Sequence, residues 1–248
     1  MAHTPNALFE NRTYRTHCQQ GRLTPFRITV KETDLAIYAA SDLSKEATQA
    51  LLNERLTLER WIEAHPHFAT RLMPDTVSGP TPQLIRTMIE ASAKAGVGPM
   101  ASVAGALAQS VGQALMPLSP EVIVENGGDT FLSVTGDTTV ALHAGDSPFS
   151  MKIGLRFKKP THPFSLCTSS GTLGHSLSFG KSDAVTVVAP SAALADAAAT
   201  AIGNKVGDQE NAIDAAIAFG KEIEGVTGIV VIKGDRIGLW GEVEPIRL

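Results

Sequence analysis

The sequence predicts an α+β fold in which antiparallel sheets carry helices on one face. Short stretches that alternate apolar and polar residues occur in pairs, as half-buried strands of hairpins do. Longer stretches with helical spacing separate these pairs, and the order strand–strand, helices, strand–strand occurs twice. Single strands do not alternate with single helices, and no G-x-G-x-x-G turn follows a strand, so a dinucleotide-binding fold is excluded.

The first half opens with a predicted hairpin and a long helix. "FRITVKET" (26–33) alternates apolar and polar residues, and "DLAIYAA" (34–40) follows almost at once. The next stretch repeats leucine at helical spacing, and Ser44 is its predicted N-terminal cap. The Pro-rich segment "MPDTVSGPTP" ends this helical region.

Two further helices and a hairpin complete that half. The helix predicted over 83–96 ends at Gly96, which is a natural C-terminal cap. The next, over 99–115, has Pro99 in the favoured first turn. The strands "EVIVE" and "TFLSV" then flank Glu125-Asn-Gly-Gly-Asp129, and an Asn-Gly pair between two apolar runs predicts a tight hairpin turn.

The second half repeats this order of elements. "FSLCTSSG" and "AVTVVAP" are predicted strands, "SAALADAAATAIGNKVG" and "NAIDAAIAFGKEIEG" predicted helices, and a closing hairpin turns at Gly234-Asp235. The sequence therefore predicts one domain made of two pseudo-repeats, about 22–135 and 165–248. The segment 136–164 between them holds two further strands, "TVALHAG" and "MKIGLRF".

Composition narrows the classes of function. With 248 residues and 43% hydrophobic content, the chain is long enough for a sizeable core. A net charge of -4, a pI near 6.0 and 5% aromatic residues argue against nucleic-acid and membrane partners. Two cysteines are too few for a disulfide framework. The polar N-terminus has no apolar leader segment, so we expect a soluble cytoplasmic protein with a small-molecule or protein partner. A homo-oligomer is also compatible with the sequence.

Asp196 and Thr200 form a possible cation site. Their i, i+4 spacing places them on one face of the predicted helix "LADAAATAI", among alanines that permit close approach. A carboxylate and a hydroxyl one turn apart are oxygen ligands of the kind that magnesium prefers. The simpler interpretation, which spacing alone favours, is a helix residue that complements the helix dipole and a packed threonine.

Two loops offer further polar groups. "CTSSGTLGHSLSFG" (167–180) supplies hydroxyls, backbone N–H groups and His175, which suits a phosphate, although a solvated turn explains it equally well. Cys167 within it has no neighbouring base and is predicted to be a buried, inert thiol. "AGVGPMASVAGALA" (95–108) leads into a helix N-terminus, a possible anion site, although it lacks the P-loop pattern.

Several of these motifs together resemble the ApbE-like superfamily. Asn126-Gly-Gly-Asp129 is similar to its N-x-G-G-D hairpin, and Asp196-Ala-Ala-Ala-Thr200 to its late A-D-A-x-A-T helix. "TSSG" (168–171) is similar to its T-S-G strand end. "KETDL", "GPMASVAGALA" and "VIVENGGD" further resemble the branch called UPF0280. The resemblance spans about 14–240 and implies a duplicated, T-fold-like architecture.

The resemblance implies a ligand and a site. Members of the superfamily move FMN from FAD to a protein threonine with magnesium, which implies FAD or FMN and Mg²⁺ as cofactors. It implies a cleft between the repeats, with a metal at Asp196 and Thr200. The implied ligand-binding residues are Asn126, Gly127, Gly128, Asp129, Ser169, Ser170 and His175.

The sequence also departs from the flavin transferases. Gln109 in "LAQSVG" stands where they have the lysine of A-K-G-Y, and their H-x-I-D-P-x-T-G segment is replaced by "GHSLSFGKSD". No catalytic nucleophile is visible. Two functions therefore stay open: a group-transfer or accessory enzyme, with the UPF0280 branch implying a role in sulfide-dependent homocysteine formation, and a non-catalytic binding or assembly module.

Overall fold

The computed structural model describes residues 22–76, 79–171 and 180–248. Its centre is an antiparallel sheet of eight strands in the order β1-β2-β3-β4-β7-β8-β9-β10. A second, antiparallel sheet has the order β11-β6-β5. The predicted α+β class with antiparallel sheets is confirmed.

The strands follow the predicted pairs. The first hairpin is β1 (Thr24–Val30) and β2 (Thr33–Ala39), and the second is β3 (Val122–Asn126) and β4 (Asp129–Ser133). The remaining strands are β5 (Thr138–Ala141), β6 (Ile153–Phe157), β7 (Phe164–Ser169), β8 (Ala184–Ala189), β9 (Gly228–Lys233), β10 (Arg236–Gly241) and β11 (Glu244–Arg247).

The described α-helices are α1 (Ser44–Ala64), α2 (Gln83–Ala95), α3 (Val103–Leu115), α4 (Ala192–Gly203) and α5 (Ala212–Lys221). Gly96 ends α2 in the left-handed conformation, with φ of 74°, as predicted. Pro99 begins a 3₁₀ turn, Pro99–Ser102, that precedes α3.

The predicted cap of α1 was wrong. Ser44 is the first helical residue, and Leu43 stands at the cap position without a side-chain hydrogen bond. The Asp42 carboxylate takes its place, since it accepts hydrogen bonds from both the N–H and the hydroxyl of Ser44. An aspartate two residues earlier therefore bonds the N–H of the first helical residue, whereas a capping Ser44 would have accepted an N–H from the second or third residue of the helix.

Each face of the large sheet buries its own core. The face toward the helices packs Val124, Cys167 and Val187 against the alanines of α4 and the apolar residues of α2 and α3. On the other face, Leu132 and Leu166 meet Leu155 of the small sheet. Successive strand residues point to opposite faces, so the inner strands β3, β7, β8 and β9 contribute side chains to both cores.

The two halves of the chain share the large sheet. The β4–β7 pairing, Thr130↔Leu166 to Leu132↔Phe164, joins the strands of the first half to those of the second. The order of elements recurs as predicted, but a duplication of the chain and the two-repeat division stay predictions. No helix in the described part of the chain is both long enough and apolar enough to cross a membrane.

Several loops lie together at one end of the large sheet. The Asn126↔Asp129 and Ser169↔Val185 pairs place the β3–β4 turn beside the end of β7 and the start of β8. The Ala184↔Ile232 pair adds the β9–β10 turn to the same end. The N-terminus of α3 lies there too, because the Asn126 amide donates to the carbonyl of Ala104.

Candidate functional site

The predicted hairpin turn is present, one residue later than the Asn-Gly rule places it. Asn126 and Asp129 are the last paired residues of β3 and β4, and Gly127 and Gly128 form the two-residue loop. Both glycines have positive φ, 69° and 111°, which a primed turn requires. Asn126 is free of the turn, so its side chain can bind α3.

The backbone of this turn is already engaged. The N–H of Gly128 donates to the Glu125 carboxylate at 2.9 Å. Gly127 is exposed and Gly128 half-buried. A Cβ on Gly128 would meet only the Thr168 carbonyl, at 3.5 Å, so the positive φ, and not a shortage of space, explains this glycine.

Asp129 points into the molecule from the start of β4. Only 8% of its surface is exposed, and the Thr168 N–H donates a hydrogen bond to its carboxylate. The neighbouring Cys167 thiol donates to the carbonyl of Ala192 at 3.4 Å. Burial is the main cause that raises the pKa of Asp129 well above its ordinary value, and the neighbouring Asp196 raises it further.

Helix α4 leaves one face open. Ten of its twelve residues are buried, and the two that are not are Asp196 and Thr200. The buried residues are mainly alanines that pack within this chain, against α2, α3, β7 and β8. The i, i+4 pair predicted from the sequence therefore shares the open face of α4.

Asp196 also occupies the predicted anion site at the start of α3. Its Oδ2 atom accepts a hydrogen bond from the N–H of Gly105 at 2.9 Å, and the N–H of Ala104 donates to the same carboxylate. Ser102 at the N-cap position of α3 makes no side-chain cap. The first turn of α3 therefore binds an anion, as the sequence suggested, but the anion is a side chain of this protein.

Close approach of the two helices makes this contact possible. A Cβ on Gly105 would lie 2.3 Å from the carbonyl oxygen of Ala192 and 2.9 Å from the Cβ of Asp196. Only glycine fits there without movement of the backbone.

The result is a pair of interacting carboxyl groups. Burial raises the pKa of Asp196 to about 7, against the opposing effect of the two backbone N–H groups. No salt bridge from a described lysine, arginine or histidine reaches Asp129 or Asp196. Two such groups favour keeping a proton or accepting a cation, because an unpaired charge removed from water is costly.

The protein supplies only part of a metal site. Among the residues that the structure describes, no group of three His, Cys, Asp or Glu side chains is arranged to hold a metal. A cation at Asp196 and Thr200 would need further oxygen ligands from the backbone or from a bound molecule, as magnesium sites commonly have.

The end of β7 adds an unpaired hydroxyl. Ser169 follows Cys167 by two residues and so faces the helices, and its buried Oγ has no hydrogen-bond partner among the described residues. Such a hydroxyl is open to a ligand group. Ser170 is half-buried and directly follows the last residue of β7. His175 lies outside the described residues.

Gln109 links α3 to the start of α4. Its Oε1 accepts hydrogen bonds from the N–H of Ala192 at 2.7 Å and from the Ser191 hydroxyl at 3.3 Å. Together with the Ser191 hydroxyl, which accepts from the N–H of Leu194, it caps the helix that carries Asp196.

Sequence reasoning missed three contacts here. The bond from the Gly105 N–H to Asp196 and the capping of α4 by Gln109 join segments far apart in the chain. The bond from the Gly128 N–H to the Glu125 carboxylate spans only three residues, within the turn. Cys167 was predicted to be an inert buried thiol. It is fully buried, and burial raises the pKa of its thiol well above the ordinary value.

Comparison with known proteins identifies close relatives. A family model described as AbpE bacteria matches residues 15–226. A UPF0280 protein of Methanocaldococcus jannaschii is 41% identical over 225 residues, which cover 89% of this chain and 91% of the relative. A UPF0280 protein of Methanosarcina acetivorans is 37% identical over 219 residues, 88% of this chain and 86% of the relative.

Solved structures show the same fold at low identity. The flavin transferase ApbE of Vibrio cholerae has a TM-score of 0.54 and 13% identity, over 88% of this chain and 96% of that one. The apo flavinyl transferase ApbE of Pseudomonas stutzeri has a TM-score of 0.55 and 14% identity, over 88% and 94%.

Proposed function

The chain belongs to the ApbE-like family described as AbpE bacteria, together with UPF0280 proteins, and on that premise we propose that it binds a flavin-type or nucleotide-type ligand with magnesium. The ligand would lie against the open face of α4, at the end of the sheet that carries the Gly127–Gly128 turn. The structural neighbours of Vibrio cholerae and Pseudomonas stutzeri are flavin transferases, which suggests this ligand class.

One observation carries the proposal. In a helix whose other residues are all buried, the two side chains left open are Asp196 and Thr200, and Asp196 is electrostatically coupled to a second carboxyl, Asp129. A structural helix cap alone does not explain a second carboxyl at this position. The arrangement fits a site in which the protein supplies the negative charge and the bound ligand supplies a cation.

We assign magnesium to the Asp196 carboxylate and the Thr200 hydroxyl, with Asp129 as the adjacent negative charge. When bound, the ion would neutralise the carboxylates and draw phosphate oxygens of the ligand to α4. Ser169 would donate its unpaired hydroxyl to the ligand, and the Asn126 amide would keep the turn docked on α3. Release of the proton shared by the carboxyl pair would accompany cation binding.

Group transfer at a phosphoryl or flavin-type ligand is the reaction class that this site suits, in an accessory or transferase-like role. Cys167 is not its nucleophile in this proposal, because burial disfavours the thiolate that a nucleophilic cysteine needs.

A second candidate function is a non-catalytic binding module. Gln109 stands where the flavin transferases have a lysine, and both atoms that contact its Oε1 belong to the start of α4. A residue engaged in capping is not available to a ligand. This observation favours retention of binding with loss of the FMN-transfer reaction.

Ligand-dependent thermal stability tests the proposal. We expect FAD, FMN or ATP to raise the melting temperature of the wild-type protein only when magnesium is present. Asp196→Asn keeps an acceptor for the Gly105 N–H but removes the charge, and should abolish the magnesium-dependent part. Thr200→Val, which removes only the hydroxyl, should weaken it.

Thr57→Val is the matched control, since this α1 hydroxyl bonds the carbonyl of Asn53 away from the site. The proposal fails if none of the three ligands stabilises the wild type with magnesium, or if Asp196→Asn responds as the wild type does. Covalent FMN on a partner protein, detected by mass, would favour the transferase over the binding module.

The UPF0280 resemblance further leads us to propose a role in sulfide-dependent homocysteine formation. Deletion of the gene in its host is expected to create a requirement for homocysteine or methionine when sulfide is the sulfur source. Growth without that supplement would contradict the pathway assignment and leave the ligand proposal standing.

A further inference from the structure

We propose that a second site, at the β9–β10 turn, binds the phosphate group of a small phosphorylated metabolite. An open pocket of about 410 Å³ lies between the segment before β8, the start of α5 and this turn. Its charged lining residues include three cations: Lys181, Lys233 and Arg236. The proposal is independent of the function proposed above, because none of these residues belongs to that site.

Backbone carbonyls hold two of the cations in place. The Lys233 ammonium donates to the carbonyl of Gly207, and the Arg236 guanidinium donates to the carbonyl of Glu210 at 2.7 Å. A lysine has three donors and an arginine five, so donors remain for a ligand. Cations fixed in this way lose little conformational entropy when they bind an anion.

A carboxylate of the chain already occupies the space between the two lysines. Asp208 accepts a hydrogen bond from Lys181, and its other oxygen lies 3.8 Å from the Lys233 nitrogen. The Asp208 side chain is 71% exposed. It can therefore swing into solvent at little cost, and we interpret it as an internal substitute for the anionic ligand.

The other carboxylates leave the site cationic once Asp208 moves. Asp183 accepts the N–H of Gly234 at 2.6 Å and thereby fixes the turn. Glu210 contributes its backbone carbonyl to Arg236. With Asp208 withdrawn, three cations face two carboxylates, one of which is committed to the backbone.

Helix α5 adds to the preference for an anion. It begins at Ala212 with no side-chain cap, and Ala212 and Ile213 line the pocket. The positive end of its dipole therefore faces the ligand space. These two side chains also offer an apolar wall, and the volume is within the range of small-molecule sites, about 300–1,000 Å³. A phosphate ester fills such a space better than a bare ion.

Calorimetric titration at low ionic strength, with inorganic phosphate and with glycerol 3-phosphate as probes, tests the site. We expect both to bind the wild type. Lys233→Met should lower the association constant about tenfold, because a charge-assisted hydrogen bond is lost. Asp208→Asn should raise it about fivefold, because the competing carboxylate is removed.

The opposite signs of these two effects separate a binding site from a structural ion pair. Lys45→Met, at an exposed lysine of α1, should leave phosphate binding unchanged. Equal affinity for the two probes would indicate free phosphate as the ligand, and tighter binding of the ester an organic phosphate. Absence of heat with both probes, or weaker binding in Asp208→Asn, would overturn the proposal.

Discussion

Two turns at the same end of the large sheet differ in the charged groups that lie beside them. Beside Gly127–Gly128, two carboxyl groups are brought together with no ion pair to a described cation. Beside Gly234, four strand spacings away, or about 19 Å, Lys181 and Lys233 flank an exposed carboxylate. The difference is burial: solvent and lysines stabilise Asp208, whereas Asp129 and Asp196 are removed from water, which raises their pKa values, and are stabilised by backbone hydrogen bonds.

This contrast shows what each region needs in order to bind. The carboxyl pair lacks positive charge, and on this ground we propose that its ligand brings a cation. The exposed pocket has cations that its own carboxylate neutralises, and on this ground we propose that its ligand brings negative charge. The following four predictions separate the two regions by mechanism, in order of decreasing effect.

The largest effect is expected at the helix crossing that holds the buried pair together. Gly105→Ala places a Cβ 2.3 Å from the carbonyl oxygen of Ala192, which forces α3 and α4 apart. We expect a loss of about 2–3 kcal/mol in the free energy of unfolding, measured in urea. Gly234→Ala is the control: no heavy atom lies within 4 Å of its Cβ, and only its positive φ costs about 1 kcal/mol. Equal losses would show that the crossing tolerates a side chain.

The next effect concerns pH. Raised pKa values mean that the folded carboxyl pair keeps a proton which the unfolded chain has already released. Stability should therefore fall as pH rises, by about 1 kcal/mol or more between about pH 5 and pH 8. Asp129→Asn keeps the hydrogen bonds but removes the coupled titration, so its stability should change less over this range.

The exposed pocket at the β9–β10 turn provides the control for this pH dependence of stability. Lys181 lowers the pKa of Asp208, so the stability that Asp208 contributes is present at neutral pH and lost only in acid. Asp208→Asn should consequently retain the wild-type dependence between pH 5 and pH 8. An unchanged dependence in Asp129→Asn would exclude the buried pair as its source.

A smaller effect is expected at Gln109. Gln109→Leu removes the acceptor of the Ala192 N–H and should cost about 1–2 kcal/mol in the free energy of unfolding. Gln109→Glu keeps the acceptor and adds a charge that favours a helix N-terminus, so it should match or exceed the wild type. Urea titration measures both. A leucine variant as stable as the wild type would mean that Gln109 does not cap α4.

The smallest effect is expected in the exposed pocket. Lys181→Met removes an ion pair whose two side chains are 61% and 71% exposed, and such pairs contribute about 0–1 kcal/mol. We expect unfolding in urea to change little while phosphate binding weakens. A large loss of stability would assign Lys181 to the fold.

The sequence predicted local features well. Two signals that act over a few residues, the spacing of apolar residues and the residue preferences of turns, predicted these features. They are the strand pairs, the helices, the cap at Gly96 and the turn at 125–129. Family membership was predicted from the same motifs, and the relatives confirm it. Ser44 was the local failure, because the helix begins at Ser44 itself and Asp42 supplies the side-chain acceptor at its start.

The site was less predictable because its contacts join distant segments. Spacing placed Asp196 and Thr200 on one face, but it could not show that Asp196 binds the backbone of α3. Gln109 was recognised as a departure from a family motif, but its partner at Ala192 lies 83 positions away. The residues that line the pocket of Lys181 and Lys233 form no recognisable sequence motif. The two lysines come together only because β8 pairs with β9.

The bond from Asp196 to the start of α3 has a consequence for biosynthesis. The carboxylate is translated 91 positions after the Gly105 N–H that it binds. During synthesis, when N-terminal segments emerge first, α3 therefore lacks its cap until α4 has left the ribosome. A fragment that stops at Val134 ends with that helix uncapped and with β4 as an unpaired edge. The first half of this chain is thus expected to depend on chaperones until the second half arrives.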